Sequence, residues 1–170
     1  MNQKPFGLYN RITKNQNMGK LTVTNKILIQ ATPAKVWDAL TNPEQTRKYM
    51  FGCEALSDWK AGSALIWKGS YEGKEMVFVT GSILEIQPGK RLVYTVNDPH
   101  AAWEDIPENH LNVAYSLSEQ NGLTELTVTQ DGFETVAEGA KRYQDVYNNG
   151  DGWNPILTEI KKLVESQSGN

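Results

Sequence analysis

The sequence predicts an α+β fold: an antiparallel sheet with two short helices after its first strand and one long helix at the C-terminus. Three observations carry that reading. Hydrophobic alternation at period two runs through most of residues 53–131. The segment "ATPAKVWDALTNPEQTRKYM", residues 31–50, replaces that alternation with helical spacing. The segment "GWNPILTEIKKLVE", residues 152–165, sets Trp153, Ile156, Leu157, Ile160, Leu163 and Val164 on one stripe of an otherwise polar helix.

Taken in order, residues 1–17 are polar, with no period that would bury a face, and Met18-Gly19 follows them. They are expected to form a loose extension ahead of a single domain over 18–170. "KLTVTNKILIQA" alternates Leu21, Val23, Ile27 and Ile29, interrupted by Asn25, and predicts the first strand. Thr32 stands at a helix N-cap with Pro33 at the first helical position, where its missing N–H costs nothing. Val36, Trp37 and Leu40 give that helix its apolar stripe, which makes Trp37 a core residue. "TNP" ends the helix, and a second short one begins near Glu44.

"SALIWKG", "KEMVFVTGSILEI", "KRLVYTV", "NHLNVAYSLSE" and "TELTVTQDGF" predict the following strands, separated by turn residues at Gly69–Gly73, "QPGK" and "EQNG". Leu92, Tyr94 and Val96 share a face, as do Leu111, Val113, Tyr115 and Leu117, and then Leu126 and Val128. Such a sheet has one dry face, and the C-terminal stripe is its cover. Residues 76–86 leave their parity open, because Met76 and Phe78 compete with Val77, Val79 and Ile83. "NDPHAAWEDIPENH", residues 97–110, predicts a long solvated loop, able to act as a lid.

Composition narrows the function classes. The chain has 170 residues, enough for one domain with a sizeable core, and no internal repeat. Its net charge of −3 comes from 20 acidic and 17 basic residues spread along the sequence, so nothing points to nucleic acid or an anionic membrane surface. No run approaches a membrane span, and the N-terminus lacks an apolar signal core. Cys53 is the single cysteine, which excludes an internal disulfide. These features predict a cytoplasmic protein.

The order of elements resembles the helix-grip fold of the START and polyketide-cyclase-like (SRPBCC) superfamily, in which a curved antiparallel sheet wraps a long C-terminal helix. "ATPAKVWDALTNPEQTRKYM" is similar to that group's opening motif, and "GSILEIQPGKRLVYTV" to its stretch leading into a Leu-x-Tyr strand. "TELTVTQDGF" and "GWNPILTEIKKLVE" resemble the closing strand and final helix of the branch related to the C-terminal domain of the activator of the heat-shock protein 90 ATPase. The resemblance spans about residues 20–166 and implies a cavity between sheet and helix. The eukaryotic co-chaperone carries an additional N-terminal domain, which is not expected in these 170 residues.

With that fold, Trp67, Tyr94, Tyr115 and Trp153, with Leu157 from the helix and Tyr49 near a rim, become the candidate ligand-binding residues. They would either wall a pocket for a small apolar or aromatic molecule or simply fill the core. No catalytic set, cofactor or metal site is expected. His100 and His110 bracket an acidic loop without ligand geometry. Cys53 has no histidine near it in sequence and reads as a structural thiol. Glu85 reads as an outward strand residue, or as an acid or base if it faces the cavity. No hydrolase, nucleotide or zincin motif occurs. Three functions follow: binding of a small apolar or aromatic molecule, a chaperone-interaction module with a heat-shock protein 90 homologue as partner and a role in stress response, or a cyclase- or dehydratase-type enzyme.

Overall fold

The computed structural model describes residues 20–168, so the expected extension over 1–17 lies outside the described residues. β1 (Val23–Ile29) forms one edge of a seven-stranded antiparallel sheet. Two short helices, α1 (Pro33–Thr41) and α2 (Pro43–Tyr49), carry the chain to the opposite edge, β2 (Glu54–Ser57). A meander of β3 (Ala64–Tyr71), β4 (Lys74–Gln87), β5 (Arg91–Val96), β6 (Leu111–Gln120) and β7 (Leu123–Asp131) then returns to pair with β1. α3 (Gly139–Tyr147) and α4 (Asn154–Ser168) complete the helix-grip fold.

Local chemistry sets the helix starts. The Thr32 hydroxyl accepts from the Lys35 N–H at 3.4 Å with Pro33 leading α1, and the Asn42 side chain accepts from the Glu44 N–H at 3.0 Å with Pro43 leading α2. At the head of α4 the anchor is tertiary. The Asn25 side-chain Oδ1 accepts the Trp153 backbone N–H at 2.8 Å, and a Cβ on Gly152 would lie 2.3 Å from that oxygen. The residue that interrupts the alternation of β1 is therefore the post to which the final helix is tied.

The sheet bends along β4, where two bulges break the register. Trp67 faces Val79 while Lys68 faces Val77, leaving Phe78 extra; Ile83 faces Tyr94 while Glu85 faces Val93, leaving Leu84 extra. Between them sits Gly81, where a Cβ would lie 1.7 Å from the Thr95 carbonyl oxygen. Two parity reversals in one strand explain why residues 76–86 show no consistent alternation.

α4 packs against β1, α1 and α2, burying Leu157, Ile160 and Val164 among Ile29, Leu40 and Leu126. Trp37 is partly buried against the same core. A smaller cluster of Val23, Leu111 and Phe133 receives Tyr143 and Val146 from α3. The irregular segment 97–110 is mostly solvent-exposed, as expected of a loop, but it is pinned from within. Asn97, 2% exposed, donates to Asp105 at 2.9 Å and accepts from Trp103 Nε1 at 2.9 Å and from Arg142 at 3.3 Å. The Arg142 guanidinium also lies 4.7 Å from the Trp103 ring centroid, which ties the segment to α3. Burial opposes the charge on Asp105, but hydrogen bonds from Asn97, Thr80 and His110 outweigh it and hold its carboxyl below the usual range.

Unforeseen were the four-residue edge strand β2, the helix α3 and two three-residue 3-10 turns at Pro107–Asn109 and Asn148–Gly150, and α4 begins at Asn154 rather than Gly152.

Candidate functional site

Between the concave face of the sheet and the first turn of α4 lies a cavity of about 380 Å³. β3 and β5 contribute the rings of Trp67 and Tyr94 to its wall. β4 and β6 add Phe78, Val79 and Val113, and the turn after α2 adds Met50, Phe51 and Cys53. Trp153 and Ile156 close it from the helix side, and Gln130 of β7 is the one amide in the lining. Phe51, 89% exposed and at a positive φ of 54°, stands where this cavity meets two smaller clefts along α4.

Four of the expected site residues form a continuous aromatic file. Ring centroids lie 6.4 Å apart for Trp67 and Tyr94, 5.8 Å for Tyr94 and Tyr115, and 6.1 Å for Tyr115 and Trp153, the last pair edge to face. Trp67, Tyr94 and Trp153 border the cavity; Tyr115 stands behind them, with its hydroxyl accepting from that of Tyr94 at 3.4 Å. Tyr49 borders a neighbouring cleft, and its hydroxyl donates to the Ala39 carbonyl at 2.6 Å. Leu157 is 0% exposed within the closed core, and the adjacent Ile156 takes the cavity side. One residue on a helix is a turn of about 100°, enough to exchange cavity for core.

Burial raises the pKa of all three tyrosines, that of Tyr115 to about 12 and those of Tyr49 and Tyr94 well above their ordinary value, so each keeps its proton at neutral pH. Burial likewise pushes the Cys53 thiol up, away from the reactive thiolate. Tyr94 and Cys53 are the ionisable groups in the cavity lining, and both are held neutral.

The remaining candidates lie elsewhere. His100 Nε2 contacts the Val77 carbonyl at 2.8 Å, while His110 bridges Asp105 at 2.8 Å and Thr95 at 3.1 Å. The two histidines have separate partners, and no group of three potential metal ligands occurs among the described residues. Glu85 pairs with Arg91 at 3.1 Å and accepts from Gln87 at 2.8 Å at a partly exposed position. Sequence reasoning passed over Phe51, Phe78 and Gln130. Gln130 carried a legible signal, because it continues the inward parity of Leu126 and Val128 as a polar residue on a dry face.

This architecture defines a helix-grip domain of the SRPBCC superfamily. The family model described as "Activator of Hsp90 ATPase homolog 1-like protein" matches residues 30–165, and the chain belongs to that family. The solution structure of ChR145 from Cytophaga hutchinsonii is 36% identical, covers 89% of this chain and 98% of its own, and superposes with a TM-score of 0.67. Two more distant structures share the fold. The Aha1 dimer from Colwellia psychrerythraea is 18% identical, with coverage of 85% and 96% and a TM-score of 0.59. CalU16 from Micromonospora echinospora is 20% identical, with coverage of 86% and 78% and a TM-score of 0.58. Among curated proteins, none matches the sequence.

Proposed function

We propose that this domain binds a small, uncharged, apolar or aromatic molecule in the cavity between the sheet and α4, without transforming it. The observation that carries the reading is the cavity itself, about 380 Å³ and walled by aromatic and aliphatic side chains. That is within the range of small-molecule sites and roughly two and a half times a cavity that accepts benzene. Trp67, Tyr94 and Trp153 serve as walls in this reading, with Tyr115 fixing the rings from behind. Binding is favoured over catalysis because the cavity lining presents no carboxylate, histidine or lysine to serve as a general base.

Native mass spectrometry of protein purified from its own host is expected to find a retained small molecule. Titration with apolar aromatic compounds is expected to change tryptophan fluorescence saturably at roughly micromolar concentration, about −8 kcal/mol. A diverse apolar library without a single saturable binder would contradict the reading.

Family membership supports a second reading, contact with a heat-shock protein 90 homologue through the outer surface. Pull-down with the host's homologue tests it, and a failure to co-purify at micromolar concentrations would remove it. Both readings fit a cytoplasmic chain whose one cysteine stays reduced.

A further inference from the structure

Gln130 is the polar exception in an apolar wall, and its hydrogen bonding is half complete. The side chain is 5% exposed, on β7 opposite Val113 and Val23. Trp153 Nε1 lies 3.0 Å from its Oε1. An indole N–H can only donate, so the amide atom facing it must be the oxygen, and this fixes which way the NH2 group points. Among the described residues that Nε2 donates to nothing. No fully sealed side-chain nitrogen or oxygen among those residues lacks a partner. The NH2 group is therefore open to space, and the spaces Gln130 borders are the cavity and the adjoining cleft beside Asp145 and Asn148.

A ligand that fills the cavity removes water from this amide. A pure hydrocarbon would leave the donor unsatisfied, whereas an acceptor on the ligand would restore its bond. An anion would fare badly, since the lining holds no cation and the cleft presents Asp145. We propose that the natural ligand is a neutral apolar molecule with one hydrogen-bond acceptor, such as a ketone, ester or ether oxygen, at the end that meets β7, and that Gln130 Nε2–H donates to it. This rests on the cavity-binding reading above and specifies the ligand class.

Three probes of one shape test it: 2-acetylnaphthalene, 2-isopropylnaphthalene and 2-naphthoate. The wild-type protein is expected to bind the ketone about tenfold more tightly than the hydrocarbon, the difference one satisfied buried donor makes. The naphthoate is expected to bind about tenfold more weakly than the ketone. In Gln130→Met the preference for ketone over hydrocarbon should collapse to about one, with hydrocarbon affinity within about threefold of wild type. A second readout avoids any variant: the Gln130 side-chain amide resonances of the wild type should shift downfield with the ketone and not with the hydrocarbon. Equal binding of ketone and hydrocarbon, or a preference that survives Gln130→Met and vanishes in Tyr94→Phe, would overturn the assignment to Gln130. If none of the three binds, the inference is overturned, and the diverse apolar library decides separately whether the cavity reading falls with it.

Discussion

The two sides of the α4 stripe meet the domain under opposite conditions. On one, Leu157, Ile160 and Val164 are 0–1% exposed in the core that α4 shares with β1, α1 and α2. On the other, Ile156, with Trp153 just ahead of the helix, faces a cavity of about 380 Å³. Both sides are apolar, so hydrophobicity does not separate the two. The difference lies in direction, because Ile156 and Leu157 are one residue, about 100° of helix, apart. The hydrophobic effect supplies the grip, and the direction in which each side chain points decides whether it meets core or void.

The largest test of this contrast is Leu157→Ala, which is expected to cost about 2–5 kcal/mol because the closed side cannot collapse around the loss. Ile156→Ala, one residue away and beside existing space, is expected to cost less than half as much, measured by urea denaturation of both. Equal costs would mean that the two sides are packed alike. Next in size is the anchor between them. Asn25→Ala removes the acceptor of the Trp153 N–H and is expected to cost about 1–3 kcal/mol. It should also speed amide exchange at the start of α4 relative to residues 160–164, and uniform exchange along the helix would contradict the anchoring role.

Enlargement gives the reverse contrast. Leu157→Phe is expected to overpack and cost about 1–3 kcal/mol. Ile156→Phe is expected to stay within about 1 kcal/mol of wild type while weakening ligand binding more than about tenfold, because added volume displaces ligand before it strains the core.

The smallest effect concerns pH. Tyr94 and Tyr115 have folded values raised above the unfolded value of about 10. Their contribution to stability is therefore fully present below about pH 10 and is lost as pH rises through the folded values. Tyrosinate absorbance should show these rings titrating only with alkaline unfolding, and a bound ligand should move that step to higher pH. Asp105 acts in the opposite direction on the 97–110 segment. Its folded value is lowered, so its contribution is present above about pH 4 and is lost on acidification below that. Ordinary tyrosine titration in the native state would show that water reaches the aromatic file.

Much of this was legible in the sequence, for physical reasons that differ by element. α1 and α4 announced themselves through caps and a helical stripe, and β5 to β7 through unbroken alternation. α3 was silent because "GAKRYQDVY" opens with glycine and buries an arginine, so its inward face is read only once Asn97 and Trp103 are in place. β4 was ambiguous because two bulges reverse its parity. The aromatic file was foreseeable because strand parity aims Tyr94 and Tyr115 inward, whereas which of the adjacent Ile156 and Leu157 meets the cavity depends on what the strands and α2 place around α4, which no local pattern encodes. Asn25 and Gln130 teach the converse lesson. Asn25 read only as an interruption of the alternation and Gln130 was passed over, yet in the structure Asn25 Oδ1 accepts the Trp153 backbone N–H and Gln130 Oε1 accepts its indole N–H beside the cavity.

The most direct test of the difference between the two sides of α4 is a two-dimensional NMR titration with a neutral naphthyl ketone, following the indole N–H groups and the methyl groups together. The account predicts saturable shifts at Trp67, Trp153, Val79, Val113 and Ile156, with Ile160, Leu163 and Val164 unmoved. Shifts spread along the whole of α4, or confined to the outer face of the sheet, would contradict it.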